Sequence, residues 1–433
     1  MGDIFEQVWS FHIDTMGFDQ PPMGPDGFYE VIIENLPSFY FGYTVAQGSG
    51  SSCLSYIKMR NSYSSSQFNS LSEIENIKVT AVHEFFHSIQ FDYNCYALDH
   101  GLWFMEATAV WSEDELYNGI NDLYRYMPAW FSNPDRPIDD QSSHMYGTFI
   151  LFQYIDEHLG GPGTIKACWE NSRDLSTPNR DVTYEAVDNA LSLYNSSFED
   201  AYLKMRIANR ILSTNAGIYS YSESEAYREV VESPPEELLI FNSGQIETEQ
   251  GQNLSLYESL YYNIVTEAPL RIQLTELSGD LSLSSIIKYQ DKEEWSVRTG
   301  SDLNIDPEMG IDYISLVLSA IDTDQFNWDY RIQLSDGFSE DYTFFPPFPN
   351  PSFGHSVSIN IQVIKEQLIY ATIYDLMGHQ IWRRSKYFYE PETETFVWNG
   401  KNDKGQRVSN GIYFIQVDGA KHQSTQKIIY LKK

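Results

Sequence analysis

The chain has 433 residues, 42 % of them apolar and 15 % aromatic, and its 28 Lys and Arg face 61 Asp and Glu for a net charge of −33. That share of apolar side chains excludes a disordered polymer, and no run of 18 apolar residues offers a membrane-spanning helix. A field of this sign repels nucleic acid and anionic membranes, so both are poor partners. At about 150 residues per domain the length suits three domains. The charge is uneven: residues 339–433 hold 11 basic and 9 acidic side chains, leaving 17 basic and 52 acidic before them. The tail therefore reads as a separate module.

The start, Met1 to Trp9, lacks the basic and then apolar pattern of a signal peptide and reads as an amphipathic helix. Glu30 to Ile33, after the turn Pro25-Asp26-Gly27, and Ser55 to Met59 are strand candidates. Ser72 and Glu75 form a capping box that opens a helix to about Gln90, with Ile77, Ala81, Val82, Phe85 and Ile89 at helical spacing. Further helices are expected from Leu102 to Asn118, from Tyr146 to Leu159, and from Ser197 to about Leu212. From Pro235 alternating stretches take over: Leu260 to Val265, Leu270 to Leu274, Ile311 to Leu318 and Trp328 to Leu334. After the Pro-rich break Phe345 to Pro351 the tail alternates again, at Ser356 to Val363, Ile369 to Tyr374, Thr395 to Trp398 and Gly411 to Val417. Three cysteines, Cys53, Cys95 and Cys168, allow at most one bridge, and the burial preference of free cysteine favours three buried thiols.

Chemistry is concentrated in His83-Glu84-Phe85-Phe86-His87, inside the capped helix. Residues four apart share a helix face, so both imidazoles reach one metal ion, and Glu84 points at a metal-activated water as general base. This is the zincin arrangement. A third ligand is needed, with a fourth position open. The spacing HExxHxxGxxH fails, because Gln90 and Tyr93 stand where Gly and His belong. Glu106, in Trp103-Phe104-Met105-Glu106-Ala107-Thr108-Ala109, completes a His2Glu set, and Ala107 and Ala109 suit close helix packing. Asp92, Asp99, His100 and Glu113 are rivals. Asp99 and His100 read as caps of the second helix, and Glu113 as either an orienting carboxylate for a histidine or a solvated partner in a salt bridge. His144 and Tyr146 are candidate donors to an oxyanion, with an ordinary helix-terminal role as the alternative. His158 suits a helix C-terminus, and His12 a partly buried face. His355, His379 and His422 lie in the tail.

Val79 to Gln90, followed by Trp103 to Ala109, resembles a family of secreted bacterial metalloproteases of gluzincin type, which pairs HEFFH with WxxEATA; Phe41-Gly42-Tyr43-Thr44 and Tyr146-Gly147 resemble it too. The resemblance covers residues 1–213 and implies zinc on His83, His87 and Glu106, with Glu84 as base. The tail, with Phe348 to Pro351, Tyr374 to Gly378, Trp398-Asn399-Gly400, Gly411 to Phe414 and the ending Lys427 to Lys432, is similar to the C-terminal sorting domain of type IX secretion cargo. That resemblance implies an Ig-like sandwich, the export machinery as a partner, and a secreted or cell-surface location. It also implies an export signal, so the chain is expected to be truncated at its start.

The expected fold is α+β. A zincin-like domain (1–213) is followed by a linker (214–235), a β-sandwich (236–338) and an Ig-like sorting domain (339–433). The expected function is a zinc-dependent endopeptidase, with protein or peptide as substrate. Calcium is a further candidate cofactor, although no EF-type spacing of Asp is present. The competing reading is an adhesion or carbohydrate-binding protein on an inactive zincin scaffold. A third is a metallohydrolase of non-peptide substrates.

Overall fold

The computed structural model describes all residues except 38, 66, 67, 69, 277–280, 291, 308–309, 322–326, 338–341, 421–422 and 433. His422 and the boundary expected at 338/339 lie outside the described residues. The fold is α+β: a helical region with a small sheet, then β-sheet modules.

Helix α1 (Gly2–Trp9) runs on into a π-helical turn, Ser10–Thr15. Strands β1 (Val31–Glu34), β2 (Gly42–Gln47) and β3 (Leu54–Arg60) form a sheet of order β1-β3-β2, with β1 parallel and β2 antiparallel to β3. Helix α2 (Glu73–Tyr93) begins where the capping box places it: the Ser72 hydroxyl accepts from the Glu75 N–H, and the Glu75 carboxylate accepts from the Ser72 N–H. After α3 (Ala97–His100), helix α4 (Leu102–Tyr117) packs against α2. Its N-cap is Gly101, and His100 instead meets the Pro178 carbonyl 3.0 Å away, so neither Asp99 nor His100 caps it.

Helix α5 (Met127–Phe131) precedes the expected third helix, which is split at Thr148 into α6 (His144–Gly147) and α7 (Phe149–His158). Gly160 and Gly161 then do double duty. They end α7, and Gly161, at φ +79°, caps α8 (Pro162–Leu175) with Pro162 in its first turn. Helices α9 (Thr183–Leu191), α10 (Phe198–Ile211, capped by Ser197) and α11 (Ser224–Val230) complete the region. The segment expected as a linker folds against this core, with Tyr221 and Tyr227 fully buried in it.

Cys53 and Cys95 are joined by a disulfide, and Cys168 is a buried free thiol, so the expectation of three thiols is corrected. The backbone brings the pair together. The Cys53 N–H donates to Phe91 O at 3.0 Å and the Cys95 N–H donates to Ser51 O at 3.2 Å, so the start of β3 is held against the end of α2. His12 is fully buried rather than partly buried, with Nδ1 2.8 Å from Val8 O.

The next module pairs two sheets over one core. One has the order β10 (Asp302–Ile305), β7 (Leu270–Glu276), β12 (Asn327–Asp336), β5 (Glu247–Ser255); the other β4 (Glu236–Ile240), β6 (Ser259–Val265), β11 (Ile311–Ala320), β8 (Leu281–Tyr289), β9 (Trp295–Thr299). The outer face of the second sheet is covered by Ile207 and Ile211 of α10, which pack on Tyr261, Ile286 and Val317. The tail is again two sheets around one core: β13 (Tyr342–Phe344), β15 (Val357–Val363) and β18 (Glu392–Trp398) in one, and β14 (Ser352–Phe353), β20 (Gln423–Leu431), β19 (Gly411–Asp418), β16 (Gln367–Tyr374) and β17 (Gln380–Phe388) in the other.

Candidate metal centre

Helices α2 and α4 run antiparallel, and polar contacts tie them along their length. Glu113 meets His83, Glu106 meets both histidines, and the Gln90 side-chain amide donates to Met105 O at 2.9 Å and Thr108 Oγ1 at 3.0 Å. Ala107 and Ala109 are completely buried, as close packing of this pair requires. Gln90 therefore fixes the turn of α4 that carries Glu106, a role for which its place three residues after His87 is the only signal in the sequence.

Three donor atoms, one each from His83, His87 and Glu106, all lie within 4.8 Å of one another, the one group of this kind among the described residues. His83 Nε2 is 3.1 Å and His87 Nε2 3.5 Å from Glu106 Oε2. Tetrahedral zinc with bonds near 2.0–2.1 Å separates its ligands by ~3.3 Å, so the set fits that ion. Both imidazoles are oriented from behind. His83 Nδ1 lies 2.7 Å from Glu113 Oε1 and His87 Nδ1 lies 2.8 Å from Gln90 Oε1, which leaves both Nε2 atoms facing Glu106. Of the two readings of Glu113, the geometry matches the orienting carboxylate: the side chain is 3 % exposed and touches His83. The acidic side chains gather no comparable carboxylate group for calcium among the described residues.

Electrostatics follow from burial and contact. Burial depresses His83, but its hydrogen bonds to the Glu106 and Glu113 carboxylates outweigh it and hold the imidazole well above its ordinary value. His87 is raised in the same way, with the Glu106 charge as the largest opposing influence. Burial alone would raise Glu106, yet His87 and His83 bring its carboxyl far below the usual range. Glu84 is raised by burial, partly offset by the two histidines and by Thr44. Thr44 Oγ1, on β2, is 2.8 Å from both the carbonyl oxygen and Oε2 of Glu84. Strand β2 thus positions the carboxylate next to the histidines, a contact no local pattern announces.

The site opens into a cavity of about 170 Å³ lined by Phe39 to Gly42, Val79, Thr80, His83, Glu84, Glu113, Asp122, Arg125, Tyr126 and Tyr146. Tyr146 faces it, its ring 6.2 Å from His83 and stacked on Tyr126 at 5.0 Å. Burial, with the Glu106 and Glu84 charges, pushes its phenol up. His144 lies outside the cavity lining. It stacks on Trp130 at 5.6 Å, its Nε2 has no protein partner among the described residues, and burial with the Arg206 charge lowers it to about 4. Of the rival ligands, Asp92 accepts from Ser52 and pairs with Arg173, and His100 meets Pro178 O; His158, in the last turn of α7, has Nε2 2.8 Å from Ser220 O.

Comparison with known proteins finds family matches for two parts of the chain. Residues 3–205 match a family of unknown function, DUF6055. Residues 347–431 match the secretion system C-terminal sorting domain. The chain is therefore type IX secretion cargo, secreted or held at the cell surface, and its tail engages the secretion machinery. The DUF6055 match brings no activity with it, and no curated protein matches the chain. Among solved structures, the sensor domain of the anti-sigma factor RsgI4 of Pseudobacteroides cellulosolvens is 14 % identical at a TM-score of 0.16, over 21 % of this chain and 89 % of that one. Dimeric latent PorU of Porphyromonas gingivalis is 15 % identical at a TM-score of 0.22, over 38 % of this chain and 18 % of that one. A β-glucuronidase of Parabacteroides merdae is 9 % identical at 0.19, over 36 % and 27 %. The chain thus spans under a third of the last two proteins. No helix among the described residues is long and apolar enough to cross a membrane.

Proposed function

We propose that the protein is a secreted zinc-dependent endopeptidase whose metal is held by His83, His87 and Glu106. The observation that carries this reading is the convergence of those three donors from two antiparallel helices, with Glu84 beside them. A divalent ion held there supplies Lewis acidity toward a substrate carbonyl and an attacking water. Glu84 takes the proton of that water and passes it to the leaving amine, and its raised carboxyl suits both halves of the transfer. Thr44 keeps the carboxylate from swinging away. Tyr146, with its phenol in the cavity, donates to the developing oxyanion. His144 serves the site only at a distance, through Trp130 and α6.

A polypeptide substrate is supported by β2. This strand pairs with β3 on one side only, and Gly42 at its start lines the cavity, so an extended peptide can add to its free edge. A Cβ at Gly42 would sit 2.9 Å from Thr80 Cγ2, so glycine lets the strand approach α2.

The test is metal content together with hydrolysis. The full chain is expected to hold one equivalent of zinc and to digest casein or gelatin. Glu84→Gln is expected to keep the zinc and lose at least a hundredfold in rate. Full-length folded protein that takes up no zinc sinks the proposal. Zinc uptake with cleavage of small esters or amides but no digestion of protein redirects it to non-peptide substrates.

A further inference from the structure

The cavity wall beyond Tyr146 is built by the 3-10 turn Asp122–Tyr126, on which Arg125 is the only Lys or Arg among the residues lining the cavity. Its guanidinium lies 5.0 Å from the Phe41 ring centroid and 4.6 Å from that of Tyr126, so it is held between the strand side and the helix side of the cleft. Tyr126 stacks on Tyr146, and Tyr146 faces His83, so one continuous wall leads from the metal ligands to the guanidinium. The internal contacts of Arg125 all use one nitrogen. Nη2 is 3.1 Å from Asp122 Oδ2 and donates to the Tyr126 hydroxyl. Nε and Nη1 have no hydrogen-bond partner among the described residues, and the Arg125 side chain is 40 % exposed.

A guanidinium with N–H groups left on Nε and Nη1, oriented by two aromatic faces, offers a carboxylate a charge-assisted hydrogen bond. We infer that Arg125 selects substrates carrying a carboxylate close to the scissile bond, either an acidic side chain or a free chain terminus. This rests on the hydrolase reading for its meaning but not for its measurement. The preference runs against the charge of the molecule as a whole, since residues 1–338 hold 52 acidic against 17 basic side chains. Long-range repulsion is screened beyond about 8 Å in physiological salt, whereas a charge-assisted pair in direct contact is not. Acidic segments are therefore recruited slowly and held by this one contact.

The test uses peptide pairs of equal length that differ only in Glu against Gln at each position flanking the bond, or in a free against an amidated C-terminus. Turnover is read as kcat/KM on the zinc-loaded full chain. Binding of the same pairs is read by calorimetry on Glu84→Gln, which needs no turnover. The carboxylate partner of at least one pair is expected to win by roughly 10- to 100-fold. Which pair shows the preference tells a side chain from a terminus. Arg125→Gln is expected to bring the ratio to near one, Arg125→Lys to leave part of it, and Asp122→Asn, which removes the competing carboxylate, to raise it. Circular dichroism checks that each variant is folded. A ratio near one in the parent protein, or a full ratio surviving in folded Arg125→Gln, overturns the inference. A carboxylate preference in binding without any turnover upholds it while the hydrolase reading fails.

Discussion

Replacing Glu113 by Gln isolates the charge behind His83 without changing its shape. Glu113 Oε1 lies 2.7 Å from His83 Nδ1, and its other oxygen is buried with no protein partner among the described residues. The amide still accepts from Nδ1, so the imidazole keeps the orientation that turns Nε2 toward Glu106. What is lost is the difference between a charge-assisted and a neutral hydrogen bond, about 1–2 kcal/mol. Loss of such a supporting partner lowers metal affinity by about 10- to 100-fold, or about 1.4–2.7 kcal/mol. Zinc affinity measured by competition with a chromophoric chelator is therefore expected to fall by that factor at pH 8.5. The gap should narrow as pH drops, because Glu113 also holds His83 above its ordinary pKa in the metal-free protein, and that proton competes with the metal. Unchanged affinity at pH 8.5, or a gap that widens in acid, refutes the reasoning.

Three other outcomes are expected. Replacing Cys53 and Cys95 together by Ser frees a loop with a sequence separation of 42 residues and should lower unfolding free energy by about 4 kcal/mol in denaturant titration; a loss under 1 kcal/mol would count against it. Asp114, 3 % exposed with Oδ1 unpartnered among the described residues, is raised by burial and by neighbouring Glu223 and Glu113 to about 7. Its folded pKa lies above the unfolded one, so it favours the fold in acid and ceases to as pH rises from about 4 to 7. Asp114→Asn should gain up to about 4 kcal/mol at pH 8 relative to its effect at pH 4, and equal melting shifts at both would refute this. Gly42→Ala puts a Cβ 3.1 Å from Glu84 Cγ and 3.1 Å from Lys58 O, so it should cut hydrolysis at least tenfold in a chain that still folds, and full activity would show that β2 does not position Glu84.

Legibility tracked how local the determining forces are. Helix α2 was readable because its cap and its buried face both lie within one stretch, Ser72 to Tyr93. Helix α8 was missed because its mean composition is polar and its start hides in a Gly-Gly-Pro that also ends α7. Strand β8 was missed for the opposite reason. Leu281 to Ile287 is buried on both faces, between the inner core and α10, so the alternation that reveals a half-buried strand is absent. The bridge between Cys53 and Cys95 depends on two main-chain hydrogen bonds that no cysteine count contains.

The site divides along the same line. His83, Glu84, His87, Glu106 and Glu113 sit on α2 and α4, separated only by the short α3, so helical periodicity brings them together. Thr44, Arg125 and Tyr126 come from a strand and a turn on either side of that pair, and only the tertiary path delivers them. This split bears on stability as well as on chemistry. Without a metal, three carboxylates, Glu84 and Glu113 buried and Glu106 half-buried, face two imidazoles. Two protonated histidines can neutralise only two of them, and ionising the third is opposed by burial. A divalent cation reverses that imbalance. Metal binding should therefore stabilise the helical region by about 4 kcal/mol at a thousandfold excess over Kd, with proton release. The strand and turn that build the cavity wall supply none of the three ligands and gain from it only through their packing.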